Sequence, residues 1–521
     1  MSASPQTSAV SSTYIAIDQA SAALYTPEQV YALDQAAIDS GIPSIQLMKR
    51  AGRAAFELLV DSFPQVEQVT VYCGGGKNAG DGYVLAALAA QRVIPVKVIA
   101  LVAAEQLQGD AKLAYDYAVQ EGVTIESTLP ASAPISGVII DALLGIGFKS
   151  TDVNGKDING GLRENFAAAV AQINAAKLPV IAIDIPTGLD ANTGAAGAVV
   201  HATKTITYIA PKRGLFTGRG PAVTGDIYLA SLDVPAEIYS QQSSSAARLN
   251  VNELISTLPA RQADAHKGSF GHVLIIGGDH GMGGAVIMAA EAAARAGAGL
   301  VTVATRPEHV VPLLVRRPEV MTKGVNSGLE LEPLLARASV LVLGLGLGRS
   351  AWSEQMLQVA VKSGLPMVVD ADGLNLIAEA KVVQKNELPA QLLITPHPAE
   401  AARLLASETQ AVNQNRFAAV TQLAADYSCV CILKGAGSLV AGAEGQVGVV
   451  AHGNPGMATG GMGDVLSGIC GALIAQGLTL ETTAQLAACV HAKAGDMAAE
   501  KIGQRGLLAT DIIPFVSELL A

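Results

Sequence analysis

Charged and aromatic side chains are scarce in this 521-residue chain, and their scarcity limits the classes of protein to which it can belong. Charged residues make up 15% and aromatic residues 4%, whereas half of the residues are apolar and 54 are glycine. That mixture is typical of α/β enzymes, in which buried parallel strands alternate with Gly-rich strand-to-helix loops. The net charge of −11 argues against nucleic-acid binding. The length predicts two or three domains.

Cysteine pairs and long hydrophobic runs are also lacking. The cysteines, at positions 73, 429, 431, 470 and 489, show no paired spacing. We therefore expect buried thiols in a reducing compartment, not disulfides or a metal cluster. The longest uncharged apolar run, residues 465–480, contains three glycines. It is too short and too interrupted to span a membrane, and it is predicted to be a buried helix.

The first 24 residues are rich in Ser and Ala, and Asp18 is their only charged residue. They match neither a signal peptide with a basic start nor an Arg-rich transit peptide. We predict a disordered tail over residues 1–24 and a cytoplasmic protein that does not bind membranes.

Strand and helix patterns alternate along the rest of the chain. Thr26 and Pro27 predict a helix start, and helical periodicity continues to about residue 61. Apolar runs predict strands at residues 68–73, 96–102, 137–141, 180–185 and 204–209, and then at 272–276, 300–304, 340–344, 366–370, 392–395 and 429–434. Helices are predicted between them, including 84–91, 165–176 and 286–296. The Ser/Gln patch at 241–245 predicts a linker, so we place two α/β domains at 25–240 and 241–521.

The most informative segment reads N-P-G-M-A-T-G-G-M-G-D at residues 454–464, directly before the predicted buried helix. Its glycines let the backbone approach a ligand closely, and amides at a helix start attract anions. Asp464 could accept a proton from a hydroxyl beside a phosphate. The segment predicts chemistry on a phosphorylated or phosphate-accepting ligand, although a structural turn before a core helix would look similar.

Three Gly-rich segments follow predicted strands in the N-terminal half: G-G-G-K-N-A-G-D-G at 74–82, D-A-L-L-G-I-G at 141–147 and D-I-P-T-G-L-D at 184–190. Any one of them alone could be a structural turn. Because ligands bind beyond the carboxyl ends of parallel strands, the three are expected to converge on one pocket. Asn78, Asp141 and Thr187 offer hard oxygen ligands suited to a metal cation.

These segments resemble the YjeF N-terminal family of NAD(P)H-hydrate epimerases, whose pattern is G-x-G-N-N-G-G-D-G, D-A-L-x-G-x-G and D-I-P-S-G. The resemblance implies a Rossmann-like parallel sheet, a potassium ion and interconversion of the R and S hydrates of NADH and NADPH. It implies potassium ligands at Asn78, Asp141 and Thr187, with Asp184 as the acid/base group. The implied hydrate contacts are Lys77, Asn78, Ala79, Gly80, Asp81, Gly145, Ile146, Gly147, Phe148, Lys149, Ser150, Thr151 and Asp184. Lys77 and Ala79 stand where the family has Asn and Gly.

The C-terminal half carries further motifs: K-G-S-F-G at 267–271, G-G-A at 283–285, L-G-L-G-L-G at 343–348, V-D-A-D-G-L-N at 369–375, T-P-H-P-A-E at 395–400 and K-G-A-G-S at 434–438. Each has a structural alternative: a tight turn at 343–348, a structural His397, a hairpin turn at 434–438. The chain has no G-x-x-x-x-G-K-[ST] segment, so a nucleotide would be held differently.

The order of these motifs resembles the ribokinase-like superfamily, and most closely the YjeF C-terminal domain, the NAD(P)H-hydrate dehydratase. The resemblance implies dehydration of the S hydrate at the expense of ADP in bacterial members or ATP in eukaryotic ones, with phosphate moved onto the C6 hydroxyl and then eliminated. Magnesium is the usual partner of phosphoryl transfer. The implied nucleotide contacts are Lys434, Gly435, Ala436, Gly437, Ser438 and Gly463. The implied hydrate contacts are Ala285, Gly346, His397 and Asp464, with Asp464 as the base. Met462 and Ala399 replace a Thr and a Gly of the family.

The leading hypothesis is a bifunctional repair enzyme that acts on both epimers of hydrated NADH and NADPH. The fused two-domain form, without an organelle-targeting segment, favours the bacterial co-substrate ADP. One alternative is a small-molecule kinase of the ribokinase superfamily; another is a non-catalytic, ligand-binding N-terminal half. The sequence leaves open the preference between the two hydrates and whether the chain forms a homo-oligomer.

Overall fold

The computed structural model describes residues 13–149, 161–443 and 445–521. The chain divides into two compact units, an N-terminal unit of residues 1–245 and a C-terminal unit of residues 246–521. Both units are α/β, in agreement with the predicted fold class.

The N-terminal unit is built on a parallel sheet. The strands of the unit, all of which except β2 belong to this sheet, are β1 (Ile15–Ala16), β2 (Ala23–Leu24), β3 (Val69–Cys73), β4 (Val96–Ala100), β5 (Thr124–Glu126), β6 (Val138–Ala142), β7 (Val180–Ile183), β8 (Lys204–Tyr208) and β9 (Asp226–Ala230). Its helices are α1 (Pro27–Asp39), α2 (Ser44–Ser62), α3 (Lys77–Gln91), α4 (Gly109–Gln120), α5 (Glu164–Ala176), α6 (Gly220–Val223) and α7 (Ala236–Tyr239). The sheet order is β1-β9-β8-β7-β6-β3-β4-β5, and β1 alone among these strands runs antiparallel to its neighbour.

The direction of strand addition reverses between β3 and β6 in this sheet. From β3 the chain adds β4 and β5 on one side, and from β6 it adds β7, β8 and β9 on the other. Cys73 pairs with Ala142 at the carboxyl ends of β3 and β6, so the segments after the two strands start side by side. Such a switch point leaves a crevice for a ligand.

The C-terminal unit has a larger sheet. Its strands are β10 (Ala246–Leu249), β11 (His272–Ile276), β12 (Leu300–Thr305), β13 (Met321–Gly324), β14 (Val340–Leu343), β15 (Met367–Val369), β16 (Leu392–Ile394), β17 (Val430–Leu433), β18 (Leu439–Ala441) and β19 (Val447–Val450). Its helices are α8 (Val251–Ile255), α9 (Gly283–Arg295), α10 (Val310–Arg316), α11 (Gly328–Leu335), α12 (Ala351–Lys362), α13 (Ala371–Glu379), α14 (Pro398–Leu404), α15 (Thr409–Gln414), α16 (Arg416–Asp426), α17 (Met462–Ala475), α18 (Leu480–Ile502) and α19 (Ala509–Leu519).

Within this unit the sheet order runs β13-β12-β11-β14-β15-β16-β17-β18-β19-β10. Strands β11 to β17 are parallel, and β17-β18-β19 form an antiparallel meander. The buried helices α9 and α17 pack together against the sheet, and small residues line their contact. The carboxyl ends of β15, β16 and β17 therefore lie side by side along one edge.

Residues 13–24, predicted to belong to a disordered tail, are ordered instead. Ile15 and Ala16 pair with Leu229 and Tyr228 at the edge of the sheet. The Tyr14 ring packs edge-to-face on Tyr228, with ring centroids 5.5 Å apart. Backbone pairing and an aromatic contact hold this segment, whose only charged residue is Asp18. It lacks the apolar periodicity from which a strand or helix could be predicted. Residues 1–12 of the predicted tail lie outside the described residues.

Two predicted helices are shorter than expected. The first is capped by Thr26, as predicted, but it is interrupted after Asp39, where Gly41 has a φ of +106° and Pro43 precedes α2. The run at 465–480 ends at Ala475, because Gly477 has a φ of +91° and α18 begins at Leu480. The five cysteines are buried and unpaired. No helix of the described residues is long and apolar enough to cross a membrane.

We predict that Gly468→Ala destabilises the C-terminal unit. A Cβ at this position of α17 would lie 2.2 Å from the Ala289 carbonyl oxygen of α9. The two helices would have to separate, which costs about 1–3 kcal/mol and outweighs the helix propensity that alanine adds. Denaturant unfolding measures the loss. Gly506→Ala is the matched control because no atom lies within 4 Å of its added Cβ; equal midpoints for the two variants would contradict the prediction.

Candidate functional sites

A cavity of about 110 Å³ opens at the switch point of the N-terminal sheet. Its lining comes from the segments that follow β3, β6, β7 and β8, together with α1 and α2. The polar side chains that line it are Tyr31, Asp34, Ser44, Lys77, Asp81, Asp184, Tyr208 and Lys212. Three of them, Lys77, Asp81 and Asp184, are among the predicted site residues.

Asp184 directly follows β7 and has an unusual backbone conformation, with a φ of +65°. Its amide donates a 2.7 Å hydrogen bond to the Ile206 carbonyl oxygen on β8. Its Oδ1 accepts a 2.5 Å hydrogen bond from the Lys212 ammonium. A Cβ added at Gly145 would lie 3.4 Å from Asp184 Oδ2, so the second carboxylate oxygen faces the loop after β6.

Lys212 was not predicted as a site residue. Only 1% of its side chain is exposed. It lies four residues after the end of β8. The sequence feature that could have indicated it was the position of a lysine so close to the end of an apolar strand. Its partner could not be read from the sequence because the two residues come from different strand ends.

Asp81 and Lys77 lie in the first turns of α3 and differ in their surroundings. Burial raises the pKa of the Asp81 carboxyl well above its usual range, and the charges of Asp184 and Asp34 raise it further. The Lys77 side chain is 59% exposed, and its ammonium donates a 2.7 Å hydrogen bond to Asp34. Lys77 is thus neutralised locally by an acidic residue of α1. Ala79 lies inside α3 in ordinary helical conformation, which needs no glycine.

The predicted potassium ligands lie close together beneath the loop after β6. The Thr187 hydroxyl donates a 2.7 Å hydrogen bond to Asp141, and the Thr187 amide donates another of the same length. The Leu144 amide donates to the Thr187 hydroxyl oxygen at 3.0 Å, and a Cβ at the next residue, Gly145, would lie 3.4 Å from Asn78 Cγ. Burial raises the pKa of Asp141 to about 6, against the lowering effect of these hydrogen bonds.

The Asn78 amide is the polar group of this cluster that lacks a partner. Asn78 is 8% exposed, and among the described residues neither its amide oxygen nor its amide nitrogen has a hydrogen-bond partner. A buried amide without partners costs free energy, so this position is suited to a bound ligand or ion.

The other predicted hydrate contacts of this unit have different positions. Ile146 lines the cavity, and a Cβ at Gly147 would lie 3.4 Å from the Tyr31 hydroxyl. Gly80 faces α2, where a Cβ would lie 2.5 Å from Met48 Sδ. The Phe148 amide donates to the Gly145 carbonyl oxygen, and Lys149 pairs with Glu28 at 3.6 Å. Ser150 and Thr151 lie outside the described residues.

In the C-terminal unit, a charged cluster forms at the carboxyl ends of β15, β16 and β17. The Lys434 ammonium lies 2.6 Å from Asp370 Oδ1 and 3.9 Å from Glu400 Oε2. The Ser467 hydroxyl donates a 3.1 Å hydrogen bond to Asp370 Oδ2. A Cβ at Gly463 would lie 3.0 Å from Asp370 Oδ2 and 3.2 Å from Lys434 Nζ, so the start of α17 closes against the pair.

Asp370 and Glu400 were not predicted as site residues, although each belongs to a motif noted in the sequence. Burial alone would lower the pKa of Lys434, but the charges of Asp370 and Glu400 raise it, so this lysine stays charged. Burial raises the pKa of Glu400, and Lys434 opposes that shift. The three side chains therefore form one cluster in which each charge affects the others.

Asp464 lies in the first turn of α17, as predicted. Burial and, to a smaller extent, the negative charge of Asp370 raise its pKa to about 7, while Lys434 opposes the shift. Gly461, with a φ of +93°, caps the helix start. A carboxyl group with a pKa near neutrality is suited to accept and release a proton.

His397 contacts both the backbone at the start of α14 and the carboxylate of Glu400 in the charged cluster. Its Nδ1 accepts a 3.1 Å hydrogen bond from the Ala399 amide at the start of α14. Its Nε2 lies 3.2 Å from Glu400 Oε1, and this network assigns the proton to Nε2. Burial lowers the pKa of the imidazole, and Lys434 lowers it further, so His397 is neutral.

Ala285 and Gly346 lie together at the switch point between β11 and β14. Gly346 has a φ of +54°, and a Cβ there would lie 3.3 Å from the Ala285 Cβ. The same loop contacts the charged cluster, because a Cβ at Gly344 would lie 1.9 Å from the Asp370 carbonyl oxygen. Both predicted residues thus share an edge of the sheet with the cluster.

The segment 434–438 connects β17 and β18 as a hairpin. Gly435 and Gly437 have φ values of +138° and +58°, and the Ser438 hydroxyl donates a 3.0 Å hydrogen bond to the Gly435 carbonyl oxygen. Buried Arg416 donates to the carbonyl oxygens of Leu433 and Lys434 at 3.2 Å. Burial lowers the pKa of Arg416 to about 10, and the residue still carries a charge at neutral pH. It was not predicted, and no local pattern marks it.

The two units match two different family models. The model of the NAD(P)H-hydrate dehydratase family matches residues 273–517, and the model of the YjeF-related protein N-terminus matches residues 44–214. The chain is thus a fusion of two enzyme domains.

Full-length relatives carry the same fusion. The bifunctional NAD(P)H-hydrate repair enzyme Nnr of Coxiella burnetii is 43% identical over 95% of this chain and 99% of its own length. The enzyme of the same name from Escherichia coli is 39% identical over 92% of this chain and 90% of its own. A ribokinase-like superfamily protein of Enterococcus faecalis, known as a crystal structure, is 30% identical with a TM-score of 0.49, over 54% of this chain and 96% of that one.

The chain belongs to the family of bifunctional NAD(P)H-hydrate repair enzymes. It joins NAD(P)H-hydrate epimerase and NAD(P)H-hydrate dehydratase in one polypeptide, which confirms the leading hypothesis from the sequence over a small-molecule kinase.

Proposed function

We propose that the cavity of the N-terminal unit is the site where the R and S hydrates are interconverted, with Asp184 as the acid/base group. The observation that supports this is the convergence of four strand ends on a cavity that Asp184 lines. Epimerisation inverts the carbon that bears the hydroxyl and leaves the composition unchanged. Asp184 Oδ2 would accept the hydroxyl proton as the bond between C6 and the ring nitrogen breaks to leave an aldehyde and a conjugated nitrogen anion. The proton would return to the oxygen when that nitrogen adds to the opposite face of the aldehyde. The predicted contacts of α3 and of the loop after β6 would surround the ring.

We propose that Asn78, Asp141 and Thr187 hold a potassium ion. The unpartnered Asn78 amide, the Asp141 carboxylate and the Thr187 hydroxyl fit the ion, because all three supply oxygen ligands and the amide has no other use among the described residues. Bound there, potassium would supply a positive charge beside a buried carboxylate and stabilise the loop that contacts the ring. Lys77, paired with Asp34, is compatible with this site.

Asn78→Ala is expected to remove the response of the protein to potassium. Because an ion that binds only the folded state stabilises it, the unfolding midpoint of the wild type should rise when KCl replaces NaCl at constant ionic strength. The variant should show no rise, and its epimerase activity should no longer depend on potassium. Asn174→Ala is the control and should keep the response, because the Asn174 amide bonds to the backbone of Val199 and His201 and to none of the three proposed ligands. A wild-type midpoint that is equal in both salts would contradict the assignment.

We propose that the charged cluster of the C-terminal unit is the dehydratase site. Segment 434–438 and Gly463 would hold the phosphates of the nucleotide, with Lys434 neutralising their charge. Asp464 would take the proton of the C6 hydroxyl as that oxygen accepts a phosphoryl group. The hydroxyl thereby becomes a phosphate, a better leaving group, and its departure together with a proton from C5 restores the dihydronicotinamide ring. The convergence of Lys434, Gly463 and Asp464 on one edge of the sheet supports this arrangement.

We propose ADP as the preferred phosphoryl donor, the co-substrate that the resemblance implies for bacterial members of the family, among which are the similar enzymes of Coxiella burnetii and Escherichia coli. Magnesium would enter with the nucleotide, since it binds mainly through phosphates and one or two carboxylates. In keeping with this, no group of three His, Cys, Asp or Glu side chains in the described parts of the chain could hold a metal. The five buried thiols support a cytoplasmic location.

The test follows recovery of the absorbance of reduced nicotinamide from a mixture of R and S NADH hydrate with ADP, ATP or no nucleotide. We expect complete recovery with ADP, at a rate above spontaneous epimerisation, and loss of recovery in Asp464→Asn. Recovery of the S fraction alone would contradict the epimerase site. Faster recovery with ATP than with ADP would contradict the proposed donor.

The pH dependence of the dehydratase should report Asp464. Because the base must be unprotonated and its pKa is raised to about 7, kcat/KM should rise with pH and reach half its maximum near pH 7. Asp464→Asn should lower kcat by about 10²–10⁴-fold. Asp426→Asn, on the exposed end of α16, is the control and should keep the wild-type profile. A flat profile across neutral pH would exclude Asp464 as the base.

A further inference from the structure

We infer that Lys212 is a positioning residue for epimerisation: its ammonium fixes one oxygen of Asp184 and leaves the other to face the substrate. This inference rests on the proposed role of Asp184 as the acid/base group. Lys212 acts through Asp184, and its role differs from the substrate contacts that the sequence predicted.

The ammonium of Lys212 uses all three of its hydrogen-bond donors inside the protein. Its Nζ lies 2.5 Å from Asp184 Oδ1, 3.0 Å from the Thr207 hydroxyl oxygen and 2.8 Å from the Tyr208 carbonyl oxygen. A buried ammonium is tolerated only when it is paired and fully hydrogen-bonded, and this one is. Its direction is therefore fixed, with no donor left for a substrate.

The backbone of Lys212 is anchored independently of Asp184. Residue 212 forms a parallel bridge with Tyr25, whose amide donates to the Pro211 carbonyl oxygen at 2.9 Å. The Arg213 amide in turn donates to the Tyr25 carbonyl oxygen at 3.0 Å. The segment before α1 thus holds the backbone of Lys212 in place through hydrogen bonds on both sides of it. The lysine side chain therefore extends toward Asp184 from a backbone position that does not depend on Asp184.

Asp184 is held from its own side as well. Its φ of +65° is a conformation that residues other than glycine rarely adopt, and the 2.7 Å hydrogen bond of its amide to Ile206 secures it. Oδ1 receives Lys212 and also lies 3.4 Å from the Thr207 hydroxyl and the Tyr208 amide. Oδ2 faces Gly145. The two oxygens of the Asp184 carboxylate thus differ in their surroundings: Oδ1 is bonded to Lys212, and Oδ2 is directed toward the loop after β6.

The charges around Asp184 determine how the loss of its contact with Lys212 would affect the reaction. The other ionisable groups that line the cavity are Asp81, Asp34, Lys77, Tyr31 and Tyr208. Two of them are acidic, and Lys77 already pairs with Asp34. Lys212 is the cation bonded to Asp184 among the described residues, so its loss would favour the protonated carboxyl and free the side chain to rotate.

The experiment compares Lys212→Met, Asp184→Asn and the double variant in the full chain, with epimerisation measured from R-hydrate recovery in the presence of excess dehydratase. We expect Lys212→Met to lower kcat about 100-fold with little change in KM, because a misplaced base retains substrate contacts. The acid limb of its pH profile should move to higher pH, because the carboxylate loses its neighbouring cation. The double variant should be no slower than Asp184→Asn.

Two further variants keep the test decisive. Lys204→Met is the matched control, because Lys204 pairs with Asp226 at 3.1 Å outside the cavity and its loss should leave the epimerase profile unchanged. Thr207→Val removes one acceptor of the Lys212 ammonium and keeps the charge pair. If Lys212→Met fails to fold, Thr207→Val should still lower kcat several-fold at constant KM.

The outcomes separate this inference from the proposed function. An active Asp184→Asn variant would remove Asp184 as the acid/base group. If Asp184→Asn is inactive while Lys212→Met keeps wild-type kcat and pH profile, the positioning role alone is overturned. A double variant much slower than Asp184→Asn would also overturn it, because Lys212 would then act separately from Asp184.

Discussion

A buried lysine–aspartate pair lies at the centre of each site. Lys212 contacts Asp184 at 2.5 Å in the N-terminal unit, and Lys434 contacts Asp370 at 2.6 Å in the C-terminal unit. Such pairs add little net stability, because removing two charges from water offsets their attraction, but breaking one is costly. Instead they fix geometry: each lysine ties together the ends of two strands of its sheet and occupies one oxygen of the aspartate.

These pairs depend on the parallel sheets. Because the carboxyl ends of parallel strands share one edge, residues far apart in sequence meet there without any long loop. Asp184 and Lys212 follow adjacent strands β7 and β8, and Asp370 and Lys434 follow β15 and β17. The central apolar strands are buried on both faces. Catalytic and binding groups at their ends therefore inherit a fixed spacing, which transition-state stabilisation requires.

The sequence predicts the parts of this design that are local. Apolar runs located the central strands to within a few residues, and Gly-rich segments located the strand ends. Lys212, Asp370 and Glu400 were missed as site residues. Each belongs to its site only through a contact with a residue at another strand end, and such a contact cannot be read from the local sequence. Edge strands such as β1 were missed because backbone pairing leaves little trace in the pattern of side chains. The interruption at Gly41 was missed because helical periodicity continues on both sides of it.

The environment of the two aspartates of the C-terminal cluster explains how one edge can supply both an ion-pair partner and a base. Asp370 accepts hydrogen bonds from Lys434 and Ser467, so its charge is compensated directly. Asp464 is buried near that negative charge, and its pKa is raised to about 7 by burial and by Asp370. Environments that separate the proton affinities of neighbouring carboxyls divide their roles. Asp370 therefore organises the lysine, and it makes Asp464 the group of the cluster that can exchange a proton at neutral pH.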